Sequence, residues 1–487
     1  MVQDMQNIAP EDIVARLRFE NPWWADGQPS SIPATMKPRA YFGLFLPLVK
    51  SDVQRAVILL GPRRVGKTVM IHHTIQDLLR SGVPPRSVCY ISVDHPIYNG
   101  LSIDQLIRHY RQATETAENA PAHIFFDEIQ YLRRWEEHLK SIVDTAPHIR
   151  CVASGSSAAA LRLKSKESGA GRFTDFLLPP LTFYEYLLLL GKTGLVEPSI
   201  TNEDNFFQTT DIAALNDEFL NYLNFGGYPE VVMSPQIRQD PTRFIKADII
   251  DKVLLRDLPS LYGIEDIQEL NYLFTTLAFN TAHEISLSEL SKNSGVAKNT
   301  IKRYIEYLEA AFLVKRVHRI DHNAKRFERA NFFKIYLTNP SMRAALFSPV
   351  RADDPAMGYL AETAIYSQWF HSPDSELHYA RWHEGEVDMV MLDEAKQKAA
   401  WAVEVKWSDA QCEDHSKLRA VTGFCNSNNL ESPLVTTRSK TMTTSIGPLT
   451  VEFLPTSLYC FTVGYNLIHR KTRPTLAEKG PRRLRRR

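Results

Sequence analysis

The chain predicts a multidomain α/β protein, and three observations carry that expectation. An apolar run at Val57–Leu60 breaks directly into a loop holding two glycines, strand-like and helix-like segments then alternate to about residue 191, and after a helical stretch the alternation returns over 358–465. A length of 487 residues allows about three domains, each large enough to bury its own core.

Taken in order, residues 1–50 read as an irregular lead-in, with Asn21-Pro22-Trp23-Trp24 and several prolines. Strands are expected at 56–61, 88–93, 122–127, 150–154 and near 173–178, and helices at 67–80, 102–118, 135–145 and 182–191. That pattern is a three-layer parallel-sheet domain over 51–195. The polar stretch 192–210 marks a boundary. Residues 211–275 read as a helical lid or linker interrupted by Gly226-Gly227-Tyr228-Pro229, 276–335 as a helix-turn-helix region, 336–465 as a second α/β domain and 466–487 as a basic tail.

The loop itself reads Gly61-Pro62-Arg63-Arg64-Val65-Gly66-Lys67-Thr68-Val69. Two glycines let the backbone curl so that successive N–H groups face one anion. Lys67 adds a charge for the outer phosphates and the Thr68 hydroxyl is placed to ligate Mg²⁺. The helix that follows turns its N-terminus toward the same anion. Such a loop binds ATP or GTP. About 60 residues on, Ile124-Phe125-Phe126-Asp127-Glu128 suits a second strand of the same sheet. Asp127 would support the metal and Glu128 would activate the attacking water. Ser154 and Ser156, at the end of the next strand, are candidates for sensing the γ-phosphate, or else an ordinary helix cap. Arg172 and Arg256 are candidates for the cation that meets the developing phosphate charge, and a structural ion pair is the alternative for each.

These segments, together with Gly171-Arg172-Phe173 and Leu178-Pro179-Pro180-Leu181-Thr182-Phe183-Tyr184-Glu185-Tyr186-Leu187, resemble a prokaryotic family of AAA-type ATPases. The resemblance continues through Phe225–Glu230 and Asp257–Ile264 and covers most of residues 50–410. It implies a P-loop ATPase core, a winged-helix region and a C-terminal domain similar to PD-(D/E)XK nucleases. It also implies ATP rather than GTP, and rings in which an arginine is donated between subunits.

Over 284–308, Ser286 or Ser288 can cap a first helix, Gly295 permits a tight turn, and Ile301, Ile305 and Leu308 line one face of a second helix. Lys298, Asn299, Lys302 and Arg303 would then face outward, where a recognition helix meets DNA. Farther on, Glu362 falls on a helix, Asp388 on a strand, and Glu404 and Lys406 two residues apart on one face of another strand. Two carboxylates, Asp388 and Glu404, with Glu362 beside them, would hold Mg²⁺ while Lys406 orients a water toward a phosphodiester. The ordered set resembles the PD-(D/E)XK pattern, with Val387 where such nucleases often carry proline. A binding domain that no longer cleaves is the alternative.

Net charge is +1, but residues 470–487 hold nine Lys/Arg against the single acid Glu478, which leaves the body mildly acidic. Nucleic-acid contact must therefore come from a local patch or the tail. Five cysteines without a C-x-x-C pair argue against disulfides or zinc and for a reducing cytoplasm. Neither a membrane span nor a secretion signal is expected. The leading expectation is a Mg²⁺-dependent ATPase that couples nucleotide state to the winged-helix and nuclease-like domains on nucleic acid, DNA before RNA. A nucleotide-gated switch with a protein partner, and an ATP-regulated DNA endonuclease, are the alternatives.

Overall fold

The computed structural model describes residues 9–28, 36–155, 171–199, 207–326, 331–372, 376–393 and 398–469. The chain divides into two compact units, Met1–Pro179 and Pro180–Arg487.

The first unit is built on a five-stranded, all-parallel sheet of β1 (Ala56–Leu60), β2 (Val88–Ser92), β3 (Ala122–Asp127), β4 (Ile149–Gly155) and β5 (Phe173–Leu177), in the order β2-β3-β4-β1-β5. Every residue of β1 is buried, which fits a central strand covered on both faces and accounts for its unbroken apolar run. The core gathers Ile58, Leu60, Cys89, Ile91, Ile124, Phe126, Trp135 and Leu139. Helix α4 (Lys67–Arg80) starts at the loop, α5 (Ile103–Thr114) carries a capping box of Ser102 and Gln105, and α6 (Trp135–Thr145) precedes β4. The second of these was expected to run to 118. It stops early because Glu115 turns left-handed at φ 55°.

The lead-in is not irregular. Helices α1 (Pro10–Glu20), α2 (Trp23–Asp26) and α3 (Phe42–Val49) occupy it. Asn21 bonds both backbone groups of Tyr90, donating to its carbonyl at 2.8 Å and accepting from its N–H at 2.6 Å. The indoles of Trp23 and Trp24 donate to Val88 O at 3.0 and 2.8 Å. Strand β2 lies at the sheet edge, so these side chains satisfy backbone groups that no neighbouring strand takes.

In the second unit, helices α7 (Phe183–Leu190) and α8 (Ile212–Phe225) come first, with the two-residue strands β6 (Glu197–Pro198) and β7 (Phe207–Gln208) paired between them. Short helices and π-type turns over Phe244–Asp257 lead to α9 (Ile267–Phe279). Then come β8 (Glu284–Ser286), α10 (Leu287–Ser294), α11 (Lys298–Ala310), β9 (Val314–Ile320) and β10 (Phe332–Leu337), with β10 pairing antiparallel to both β8 and β9. Helix α12 (Met357–Trp369) is followed by the meander β11 (Leu377–Trp382), β12 (Gly385–Asp393) and β13 (Lys398–Glu404). Helix α13 (Arg419–Asn428) returns the chain to β14 (Leu434–Thr437), which runs parallel to β13. Strands β15 (Met442–Ile446) and β16 (Leu449–Pro455) and helix α14 (Thr456–His469) complete the described chain.

All strands of this unit from β8 on share one nine-stranded sheet, ordered β15-β16-β14-β13-β12-β11-β9-β10-β8. The joint is β9 against β11, parallel over His318↔His378 to Ile320↔Ala380. The hairpin after α11 and the C-terminal strands are thus one continuous surface. Among the described residues no helix is long and apolar enough to cross a membrane. All five cysteines are buried and free.

Candidate functional site

Strand β1 delivers Gly61 to the C-terminal rim of its sheet, where a Cβ at that residue would stand 2.2 Å from Leu178 O. Arg64 and Gly66 are both left-handed (φ 64° and 98°), which curls the loop and turns it into α4. Lys67 is buried and its ammonium spans the loop, donating to Gly61 O at 3.0 Å and Pro62 O at 2.8 Å. Pro62 and Val65 are buried, while Arg63, Thr68 and Val69 are half-buried. Arg39, buried and arriving from the lead-in, donates to Val65 O at 2.7 Å and Pro179 O at 3.1 Å. It ties the loop to the end of β5. No local sequence signal marks it.

Asp127 ends β3 beneath this loop. Its Oδ2 accepts from Thr68 Oγ1 at 2.7 Å and from Tyr90 Oη at 2.9 Å, and its Oδ1 accepts from Ser154 Oγ. Burial pushes the Asp127 carboxyl up and the Glu128 charge adds to that, while the three hydroxyl donors oppose both. Burial also pushes the Tyr90 phenol far up, which keeps it a donor to Asp127. Ser154, expected to face a phosphate, is instead fully buried. It bonds Asp127 and accepts from Glu128 N at 3.2 Å, so it braces the acidic pair. Ser156 lies outside the described residues. Glu128 sits left-handed at φ 59°, only part-buried, and accepts from Gln130 Nε2 at 2.5 Å.

Of the two readings of Arg172, the structure shows the ion pair. It precedes β5, whose Phe173 pairs with Ala56 at the start of β1, so it stands at the N-terminal rim of the sheet, roughly 16 Å of strand away from the loop. There it pairs with Asp144 at 2.9 Å. Arg256 is exposed on the second unit.

The donors around the loop fit a polyphosphate with a hard divalent cation. The loop is curled at two left-handed residues, a helix N-terminus follows it, and a hydroxyl and a carboxylate lie within 2.7 Å of each other. His72, on the buried face of α4, lies with its ring centroid 4.8 Å from that of Tyr90. Burial, with the neighbouring His73 charge, lowers its pKa to about 4. The unfolded chain therefore takes up this proton below pH 6.5 while the folded chain does so only near 4, and stability is lost as pH falls through that window. The expected slope is up to ~1.4 kcal/mol per pH unit. Urea titrations of the full chain between pH 4 and 7 measure the slope, and His72→Leu should remove this contribution from it.

In the second unit Glu362, Asp388, Glu404 and Lys406 do converge. Lys406 Nζ lies 2.7 Å from Glu404 Oε1 and 3.5 Å from Asp388 Oδ2, which also accepts from Val405 N at 2.9 Å. Three further residues were missed. Lys334 Nζ lies 2.9 Å from Glu362 Oε1, 2.6 Å from Glu386 Oε1 and 3.7 Å from Asp388 Oδ1, and Tyr336 Oη donates to Glu362 Oε1 at 2.6 Å. A signal existed: a lysine and a tyrosine two apart in the otherwise apolar run Phe332–Leu337 share one strand face.

Burial pushes Glu404 up to about 8 and Glu362 up to about 7. Burial acts the same way on Asp388, but Lys406 and Lys334 hold it below the usual carboxylate range. A divalent cation at Asp388 and Glu404 does not fit this arrangement, which corrects the expectation. Two ammonium groups lie on oxygens of Glu362, Asp388 and Glu404, and among the described residues no group of three or more His, Cys, Asp or Glu is arranged to hold a metal ion.

On α11, Lys298, Asn299, Lys302 and Arg303 are all exposed, opposite the buried Ile301, Tyr304, Ile305 and Leu308. Ser286 caps α10, Gly295 ends it at φ 74°, and Lys298 Nζ bonds Ser288 Oγ at 2.9 Å.

The parallel sheet with its loop and acidic strand end defines a P-loop domain. Residues 53–187 match the family described as AAA domain, so this part of the chain is an AAA-type P-loop domain. Residues 216–353 match a domain of unknown function (DUF8612). The chain is 22% identical over 300 residues to an uncharacterized protein of Haemophilus influenzae, covering 61% of this chain and 70% of that one. It is 24% identical over 330 residues to an uncharacterized protein of Methanocaldococcus jannaschii, covering 65% and 68%. Among solved structures, the Walker-type ATPase of Pyrococcus abyssi aligns over 65% of this chain and 99% of its own, with a TM-score of 0.41 at 14% identity. The Hsp104–ADP complex of S. cerevisiae aligns over 57% and 39%, with a TM-score of 0.29 at 13% identity.

Proposed function

We propose that this chain is a Mg²⁺-dependent ATPase that couples its nucleotide state to a nucleic-acid-binding second unit. One observation carries the reading: Thr68 Oγ1 and Asp127 Oδ2 lie 2.7 Å apart beneath the loop, a hydroxyl and a carboxylate placed to share one cation's shell. Mg²⁺, when bound, supplies the charge that neutralises the β- and γ-phosphate oxygens. Lys67 exchanges the carbonyls of Gly61 and Pro62 for phosphate oxygens. Glu128 takes the proton of the attacking water, whose oxygen bonds to the γ-phosphorus as the bridge to the β-phosphate breaks and ADP leaves. Gln130 holds that carboxylate in place. Tyr90 and Ser154 fix Asp127.

The order helix, strand, helix, helix, strand, strand over 267–337, with β8 pairing β10, supports a winged helix-turn-helix in the second unit. The exposed Lys298, Asn299, Lys302 and Arg303 would meet a DNA backbone there. The α12-β11-β12-β13-α13-β14 order, with three antiparallel strands and a parallel fourth, supports the nuclease-like fold. Lys334 among its carboxylates favours a binding domain over a cleaving one. ATP turnover with and without duplex DNA tests the whole reading. Lys67→Ala should lose nucleotide binding. DNA should stimulate the parent with a steep salt dependence, and Lys302→Glu/Arg303→Glu should remove the stimulation. Full turnover in Lys67→Ala would end the ATPase reading, and stimulation unchanged in the double variant would end the DNA one.

A further inference from the structure

Among the buried charges of the second unit, Lys334 stands apart because it comes from outside the elements that carry its partners. Glu362 belongs to α12, Glu386 and Asp388 to β12, and Glu404 to β13. Lys334 belongs to β10, in the hairpin that joins this sheet through β9 against β11. It is 3% exposed, and its ammonium lies within 3.7 Å of three different carboxylates. The Tyr379 ring centroid, 5.4 Å away, closes a further side.

We infer that Lys334 is a built-in counter-cation: its ammonium permanently supplies the charge that Glu362, Glu386 and Asp388 would otherwise draw from a divalent ion, and its removal turns the cluster into a metal site. The geometry makes the two alternatives exclusive. A divalent ion needs carboxylate oxygens at about 2.0–2.6 Å from one point, and the Lys334 nitrogen occupies the space between Glu362 Oε1, Glu386 Oε1 and Asp388 Oδ1, at 2.9, 2.6 and 3.7 Å, so these carboxyl groups can draw in on an ion only once it is gone. The charge count agrees. Four carboxyl groups, Glu362, Glu386, Asp388 and Glu404, face two ammonium groups, Lys334 and Lys406, so loss of Lys334 leaves a set of hard oxygen donors short of one positive charge.

The test is Mn²⁺ binding to the nucleotide-free full chain, read by electron paramagnetic resonance and by the Mn²⁺-dependent shift of the thermal midpoint. Lys334→Met should bind one more Mn²⁺ per chain than the parent. Lys334→Arg should bind no more than the parent, and adding Asp388→Asn to Lys334→Met should abolish the gain. Lys334→Met strands buried carboxylates, so Lys334→Met/Glu386→Gln, which removes one charge of each sign, is measured beside it. Parent-like Mn²⁺ binding in both Lys334 variants overturns the inference, as does failure of both to fold even with Mn²⁺ present. A Mn²⁺ site in the parent that Asp388→Asn removes overturns it whatever the variants do.

Discussion

Glu128→Gln should leave ATP binding near the parent level and slow its hydrolysis by on the order of 10²–10⁴-fold, the usual contribution of a positioned general base. The expectation follows from how β3 ends. Asp127 is buried and held by Thr68, Tyr90 and Ser154, which suits it to stay in position beneath the loop rather than to take a proton from water. The next residue breaks from the strand into left-handed backbone at φ 59°, and Glu128 is only part-buried there. Glutamine keeps the size of the side chain and an oxygen for Gln130 Nε2 while removing the basic oxygen. Binding and chemistry therefore separate: a fluorescent-nucleotide titration should be unchanged while single-turnover hydrolysis collapses. Hydrolysis at the parent rate would remove Glu128 from the mechanism and leave the loop assignment intact.

What could be read from the sequence was local chemistry. Gly61, Gly66, Lys67 and Thr68 lie within one turn of chain, and the torsions they need are properties of those residues, so the loop and the start of α4 appear where the spacing puts them. Asp127 was legible because an apolar strand ends on it. The convergence of Glu362, Asp388, Glu404 and Lys406 was legible from strand alternation and order. Residues acting across long chain separations were not. Asn21 bonds Tyr90 across 69 positions and Arg39 bonds Pro179 across 140, and neither sits in a pattern that announces a partner. The place of Arg172 was not legible for a related reason. A Gly-Arg-Phe run locates a strand, but only the parallel register with β1 decides which rim the arginine occupies. Lys334 was missed because a lone lysine in an apolar strand reads as an exposed interruption until the carboxylates of other elements are brought to it.

Gly61→Ala should cost both stability and nucleotide binding, although alanine is the smallest possible change. The added Cβ would lie 2.2 Å from Leu178 O and 3.2 Å from Leu178 C, backbone atoms that no rotamer change can move. Nor can the two chain segments drift apart freely. Leu178 N donates to Leu60 O at 2.7 Å, one residue from the collision, and Arg39 holds the adjoining Pro179 to the loop. Relief must therefore come from breaking the last bond between β1 and the end of β5, or from pushing the loop outward and dragging Lys67 with it. Overpacking of this kind costs about 1–3 kcal/mol, and displacement of the loop carries the phosphate donors away from Asp127. The matched control is Gly43→Ala, on α3, where a Cβ meets nothing within 4 Å and the helix gains a better helix former. Its thermal midpoint should equal or slightly exceed the parent's and its nucleotide affinity should be unchanged. Gly61→Ala should lower the midpoint and weaken nucleotide binding at least tenfold, about 1.4 kcal/mol. A Gly61→Ala chain that matches Gly43→Ala in both measurements would mean that the end of β5 does not press on the loop, and the fixed cradle around Lys67 would lose its support.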